Sequence, residues 1–390
     1  MMRSAYAQPL FTLTTGPVDI YPAVSRALSM PIWYDYDPAF QACFERVSLK
    51  AAQALQTATP PLILQGEPVL ALEAAAASLI SSDDVVLNLV SGVYGAGFSD
   101  WARRYSSQVE ELRVDFNQVI DPAAVDHWLS AHPQVTIVAV CHHDTPSGTL
   151  NPLDEIGRVV KKHGKLLLVD AVSSFAGVPV TAASCQADLF ITGPNKCMGC
   201  PPGLSLVAVS DAAWRKIEAN AAAPRASVLS LLDWRHAWSA EQPFPYTPSV
   251  AEINALEAAL DGYLQEGAEQ VWARHALTAQ AFRAGIQAMG LSLWAADERF
   301  ASPTATAVRV PEGVNEQQWR LRAREAYGVM FSAGRGETLG KVLRVGHMGP
   351  TAQPMFAIIA LTALAGALNQ LREAQLDIGV GVAAAMAIMG

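Results

Sequence analysis

Lys196 stands in the run Ile191-Thr192-Gly193-Pro194-Asn195-Lys196-Cys197, behind a strand-like apolar stretch, and an earlier stretch of the same kind closes on Asp170. A primary amine after one strand and a carboxylate at the end of its predecessor suit a pyridoxal-type aldehyde. The amine condenses with the aldehyde to an imine, and the carboxylate keeps the pyridine nitrogen protonated so that the ring accepts electrons. Alone, each residue has an ordinary reading: a surface lysine, or an aspartate capping the segment after its strand. Together they point to vitamin B6 chemistry.

The segments around them must hold that pair in place. From about Pro60 the chain alternates apolar and helix-like runs. Strands are expected at 85–90, 112–115, 136–141, 165–170, 189–192 and 204–209. Helices are expected at 71–80, from Trp101 onward, at 121–132 and at 153–163. Asp121-Pro122 has the form of a cap and first turn, and Gly164 that of a helix stop. Strands apolar on both faces and separated by helices imply a mostly parallel sheet covered on both sides, with ligands outside the strands' carboxyl ends. His142 to Gly148, Asp170 to Ser174 and the loop before Lys196 all fall there. A helix at 267–289 leads to a smaller α+β unit, with strands at 304–310, 329–332 and 342–345 and helices at 315–326 and 353–371. The division expected is an arm at 1–20, a large α/β domain at 21–265 and a small domain at 266–390.

Composition narrows the partners. A net charge of −9 with no Lys/Arg cluster argues against nucleic acid. Half the residues are hydrophobic and only 16% are charged, which suggests surface buried between subunits. The opening residues lack a signal peptide's apolar core. The apolar run 378–389 is shorter than the roughly 20 residues a membrane span needs, so a packed terminal helix and a cytoplasmic protein are expected. Five cysteines are too few and scattered for a disulfide framework. Cys197 and Cys200 have the spacing of half a zinc site, but no second pair accompanies them, so packing is the better reading and no metal is expected.

The motifs Val169-Asp170-Ala171-Val172-Ser173-Ser174, Gly193-Pro194-Asn195-Lys196 and Arg344-Val345-Gly346-His347-Met348-Gly349 resemble the aspartate, lysine and carboxylate-arginine segments of class V aminotransferases. That branch of the aspartate-aminotransferase superfamily includes alanine–glyoxylate and serine–glyoxylate aminotransferases, and the likeness runs from Gly16-Pro17 to Gln370. The resemblance implies fold type I of the pyridoxal-phosphate-dependent transferases and a Schiff base at Lys196, the catalytic residue. It also implies Asp170 at the pyridinium nitrogen, Tyr94 against the ring face and Thr145 at the ring's phenolic oxygen. Arg344, with Arg335 as a second cation between glycines, would grip a substrate carboxylate. A core tyrosine, a turn threonine before Pro146 and a solvated loop arginine are the plainer readings. His142 and His143 are read as packing residues, and Ser173, Tyr34, Tyr246 and Thr247 as supporting or neighbouring-subunit contributors.

Within the branch, Gln65-Gly66-Glu67-Pro68, Ser91-Gly92-Val93-Tyr94-Gly95, Cys141 to Gly148 and Gly334 to Gly340 are similar to members for which unphosphorylated pyridoxamine is a substrate. Such members pass its amino group to pyruvate, giving pyridoxal and L-alanine in vitamin B6 degradation. Relatives that use the phosphate bind it on N–H groups at a helix start. Here Glu67 brings a negative charge and Pro68 has no N–H. Glu67 either accepts a hydrogen bond from the neutral hydroxymethyl group or simply caps its helix; the resemblance favours the first. No tightly bound cofactor is therefore expected, with pyridoxal phosphate in a glyoxylate-type aminotransferase as the alternative. A catalytically silent vitamer-binding regulator is a further rival. The resemblance also implies a dimer-built homo-oligomer, a tetramer by likeness.

Overall fold

The computed structural model describes residues 9–239, 241–242, 244–372 and 375–390. What was expected of residues 1–8 lies outside them. A seven-stranded sheet runs Leu62–Gln65, Leu204–Val209, Leu189–Thr192, Leu166–Asp170, Ile137–Cys141, Val85–Val90 and Gln108–Arg113, in that spatial order. Most neighbours are parallel, but Leu204–Val209 is antiparallel to both of its partners, so the sheet is mixed. The strands inside it are buried along their length, which is why they read as unbroken apolar runs. Their register places Cys141 beside Asp170 and Asp170 beside Ile191. Three loops therefore leave the same edge of the sheet side by side.

Local chemistry sets the helices that cover it. Asp121 accepts from the Ala123 N–H at the head of Pro122–Ala131, as expected. Asp37 does the same for Pro38–Leu55, a helix with the same Asp-Pro opening that the sequence reading passed over. Val250–Glu266 was passed over as well. One expected helix is misplaced: it spans Val93–Ala102, so Trp101 lies in its last turn and does not begin it. Its opening is rich in glycine and its Gly92 cap has no side chain. The acceptor that holds its first turn comes from Asp144, about 50 residues on, and local patterns do not show it.

A second core, including Leu13, Phe282, Trp319, Leu343 and Leu361, lies among four C-terminal helices and a three-stranded antiparallel sheet. The strand expected at 329–332 divides at buried Phe331. Val329–Met330 pairs with Phe11–Thr12, and Ser332–Ala333 pairs with Val342–Gly346. The segment before Gly16 is stitched to this unit. Leu13 N–H donates to the Met330 carbonyl at 2.9 Å, Gly346 N–H to the Leu13 carbonyl at 2.9 Å, and Thr15 N–H to Ser332 Oγ at 3.0 Å. The last helix, Ile378–Met389, packs on Ala268–Ala288, with Gly285 and Gly381 allowing close approach. No helix among the described residues is long and apolar enough to cross a membrane.

Trp319 is fully buried and its indole N–H donates to the Leu364 carbonyl at 2.8 Å, tying Glu316–Tyr327 to Pro354–Asn369. Trp319→Ala leaves a cavity and removes the indole bond between the two helices, and should destabilise the protein by about 3–5 kcal/mol. Urea unfolding followed by circular dichroism measures that loss.

Candidate active site

Lys196 lies three residues beyond Gly193, at the end of the strand Leu189–Thr192. Its Nζ donates to the Thr15 carbonyl at 2.6 Å. Gly16 has φ +131°, and a Cβ there would overlap the lysine Nζ, so glycine alone fits under the amine. Burial is the main cause that lowers the Lys196 pKa to about 8, and the Arg344 charge adds to it; Glu67, Cys197 and Asp170 oppose the shift. An amine of pKa about 8 is about one-tenth neutral at pH 7, against about one part in three thousand for an ordinary lysine. The nucleophilic form is thus available near neutrality.

Asp170 closes its strand as expected. Its Oδ1 accepts from the Val172 N–H at 2.9 Å, so it does cap the turn that follows. Burial raises its pKa to about 6, offset by that hydrogen bond and increased by the Asp144 charge. A carboxyl group held back from ionisation in this way gains most by facing a cation, such as a protonated pyridine nitrogen. Asp144 is the residue the sequence reading missed. It is 1% exposed, and its Oδ2 accepts from Tyr94 N–H at 2.6 Å and Gly95 N–H at 3.2 Å. Burial lifts its pKa to about 6 while those N–H groups hold it down.

Arg344 is buried in the middle of Val342–Gly346 and reaches toward the same place. Its Nε donates to the Ala333 carbonyl at 2.6 Å and its Nη1 to Thr145 Oγ at 2.9 Å. Thr145 therefore accepts from the arginine, with its own hydroxyl proton left to donate. Tyr94 is a further side-chain partner of Arg344. Arg335, exposed, lies over the Tyr94 ring with Cζ 5.5 Å from its centroid. Glu67 caps its own helix, Oε2 accepting from Val69 N–H at 2.9 Å, and its charge also reaches Lys196 and Asp170. The helix-capping reading of this residue is thus met in the structure.

Other expected contributors sit further off. His142 and His143 are buried and bonded to Ser174 Oγ and the Thr149 carbonyl, both at 2.9 Å, in keeping with a packing role. Ser173 lends its carbonyl to Thr304. Tyr34 is 70% exposed beside Tyr36, Tyr246 packs on Trp234, and Thr247 is exposed. A single chain does not bring these three to the lysine through any described hydrogen bond or ring contact. Cys197 and Cys200 are buried free thiols.

A mixed sheet whose edge gathers a lysine of lowered basicity, a carboxylate one strand over and a buried arginine from the smaller unit defines a transaminase site. The family model for class V aminotransferases matches residues 70–349, and the chain belongs to that family. Its fold is fold type I of the pyridoxal-phosphate-dependent transferases. The chain is 60% identical over 390 residues, all of it and 99% of the relative, to pyridoxamine–pyruvate transaminase of Mesorhizobium japonicum. The crystal structure of pyridoxamine–pyruvate aminotransferase from Mesorhizobium loti superposes with a TM-score of 0.99 at 60% identity, covering 100% of this chain and 99% of that one. Ureidoglycine–glyoxylate aminotransferase from Bacillus subtilis superposes with a TM-score of 0.92 at 27% identity, over 99% and 100% of the two chains.

One expectation is corrected. No tightly bound cofactor was expected, but class V aminotransferases are pyridoxal-phosphate-dependent, with that molecule as cofactor. The expectation leaned on the charge of the Glu67-Pro68 loop, and in the structure Glu67 spends one oxygen on its own helix. The residues present fit the pyridoxal ring. Lys196 would hold its aldehyde carbon, and Asp170, whose raised pKa marks a carboxylate short of a positive partner, would hold its nitrogen.

Three outcomes follow for the amine. Capture of pyridoxal needs the neutral form, so its rate should rise with pH through about 8 and level off above. Arg344→Leu removes a nearby cation and should move that rise to higher pH, as stopped-flow absorbance across a pH series will show. Gly16→Ala should slow capture, because a side chain at φ +131° strains the backbone that carries the Thr15 carbonyl and crowds Nζ.

Proposed function

We propose that this transaminase moves the amino group of unphosphorylated pyridoxamine to pyruvate, reversibly, giving pyridoxal and L-alanine. The observation that carries the reading is 60% identity, end to end, with a pyridoxamine–pyruvate transaminase. The glyoxylate-linked relative is far more distant, at 27%. The bound vitamer supplies the electron-accepting ring and the carbonyl carbon at which nitrogen is exchanged. In our reading Lys196 Nζ takes up a proton and returns it, which a pKa of about 8 permits near neutral pH. Asp170 accepts from the ring N–H. Arg344 binds the carboxylate of pyruvate or alanine, its orientation supported by bonds to Ala333 and Thr145. Arg335 adds a second positive charge from the loop above Tyr94, and Thr145 turns its free proton toward the ring oxygen. Glu67, with Oε2 on Val69, offers Oε1 to the hydroxymethyl group and so prefers the unphosphorylated vitamer.

We also read the chain as a homo-oligomer built from dimers, a tetramer by family likeness, whose neighbours cover Ile32, Tyr34 and Tyr36, which are at least half exposed here. A role in vitamin B6 degradation suits the substrate pair. Five buried free thiols suit the reducing cytoplasm. The division into an arm to residue 20, a large domain to 265 and a small domain beyond it is supported by two separate cores and by the pairing of Phe11–Thr12 with Val329–Met330.

Incubation of the purified protein with pyridoxamine and pyruvate should yield pyridoxal and L-alanine in equal amounts by chromatography, and Lys196→Ala should yield neither. Failure to consume pyridoxamine while aminating glyoxylate would favour the glyoxylate-type rival. Glu67→Ser should shift relative affinity toward pyridoxal phosphate and away from pyridoxal by about tenfold, the loss of one charge-assisted contact; equilibrium titration with each vitamer measures the ratio.

A further inference from the structure

The helix Val93–Ala102 has no cap of its own, since Gly92 offers no side chain and no side-chain bond closes its start. The cap comes from Asp144, in the two-residue strand His143–Asp144 beyond the neighbouring sheet strand. Space around Gly92 is shaped to this carboxylate, because a Cβ at that position would overlap it. Only one oxygen is used: Oδ2 takes the Tyr94 and Gly95 N–H groups, while Oδ1 is buried with no partner. The first N–H held belongs to Tyr94, the residue whose side chain meets Arg344 and whose ring lies under Arg335. The next residue in sequence, Thr145, takes a guanidinium N–H of Arg344 at 2.9 Å. Two consecutive residues thus grip the tyrosine through its backbone and the arginine through its side chain.

We propose that Asp144 is a positioning residue: by capping the helix from outside it sets the place of Tyr94, and through Tyr94 the face on which the vitamer ring is received. A buried carboxylate suits this task better than a local hydroxyl cap. It is fixed by the adjoining sheet strand, so the tyrosine is referenced to the same strand edge that carries Asp170. A carboxylate is also the stronger acceptor for helix-start N–H groups.

The proposal rests on the pyridoxamine reading, and the test separates the two. Pyridoxamine affinity is measured by quenching of tryptophan fluorescence, Trp101 lying close to Tyr94 and Asp170. Wild-type protein that does not bind pyridoxamine sinks the functional reading. With wild-type binding in hand, Asp144→Ala should weaken binding about tenfold, while Asp144→Asn, which keeps one acceptor oxygen, should stay within about threefold of wild type. In a Tyr94→Ala background the loss from Asp144→Ala should shrink to less than about twofold, because the group it positions is gone. Asp144→Ala that binds like wild type overturns the proposal, and so does an equal loss in both backgrounds. If Asp144→Ala does not fold, Asp144→Asn decides alone: a folded protein with a loss above about tenfold is the overturning result.

Discussion

The site depends on keeping a small group of charges in balance away from water. Lys196 and Arg344 bring positive charge, and Asp144, Asp170 and the half-buried Glu67 bring negative, with Arg335 exposed outside them. Burial pushes the lysine pKa down and the two aspartate values up. Each charge costs less because the others are close, and each is tied by hydrogen bonds to backbone that cannot drift. The sheet register makes this affordable, since Cys141, Asp170 and Ile191 are neighbours and the loops beyond them cannot separate.

Function is divided between two structural units. The mixed sheet supplies Lys196, Asp170 and the helix that carries Tyr94. The smaller unit supplies the arginines, one buried in the strand Val342–Gly346 and one on a loop between glycines. In the proposed roles, the groups for the ring come from one strand edge, and those for the substrate carboxylate come from the smaller unit.

Much of this was legible in the sequence because its causes are local. Asp170 ends one buried strand and Lys196 follows the loop after another, and such strands announce themselves as apolar runs. Asp121-Pro122 opens its helix through contacts two residues apart. What was not legible depends on contacts distant in sequence. The start of the helix at Val93 is decided by Asp144, and the strand near Phe331 splits because that ring enters a core built from residues far before and after it in sequence. Asp144 itself stood in a motif already singled out, yet nothing local marks its carboxylate as a cap for a helix some 50 positions earlier. Pro38–Leu55 is a different case. Its Asp-Pro opening carried the same signal as Asp121-Pro122 and could have been found.

The strip from Phe11 to Thr15 has a mechanical meaning. It is sewn to Val329–Met330, Ser332 and Gly346 on one side, and at its end the Thr15 carbonyl receives the lysine Nζ. The amine is therefore parked on a tether whose other end belongs to the arginine-bearing unit. A displacement of that unit would carry the Thr15 carbonyl with it, so the seat of the amine and the strand that holds Arg344 are linked by a few residues of backbone.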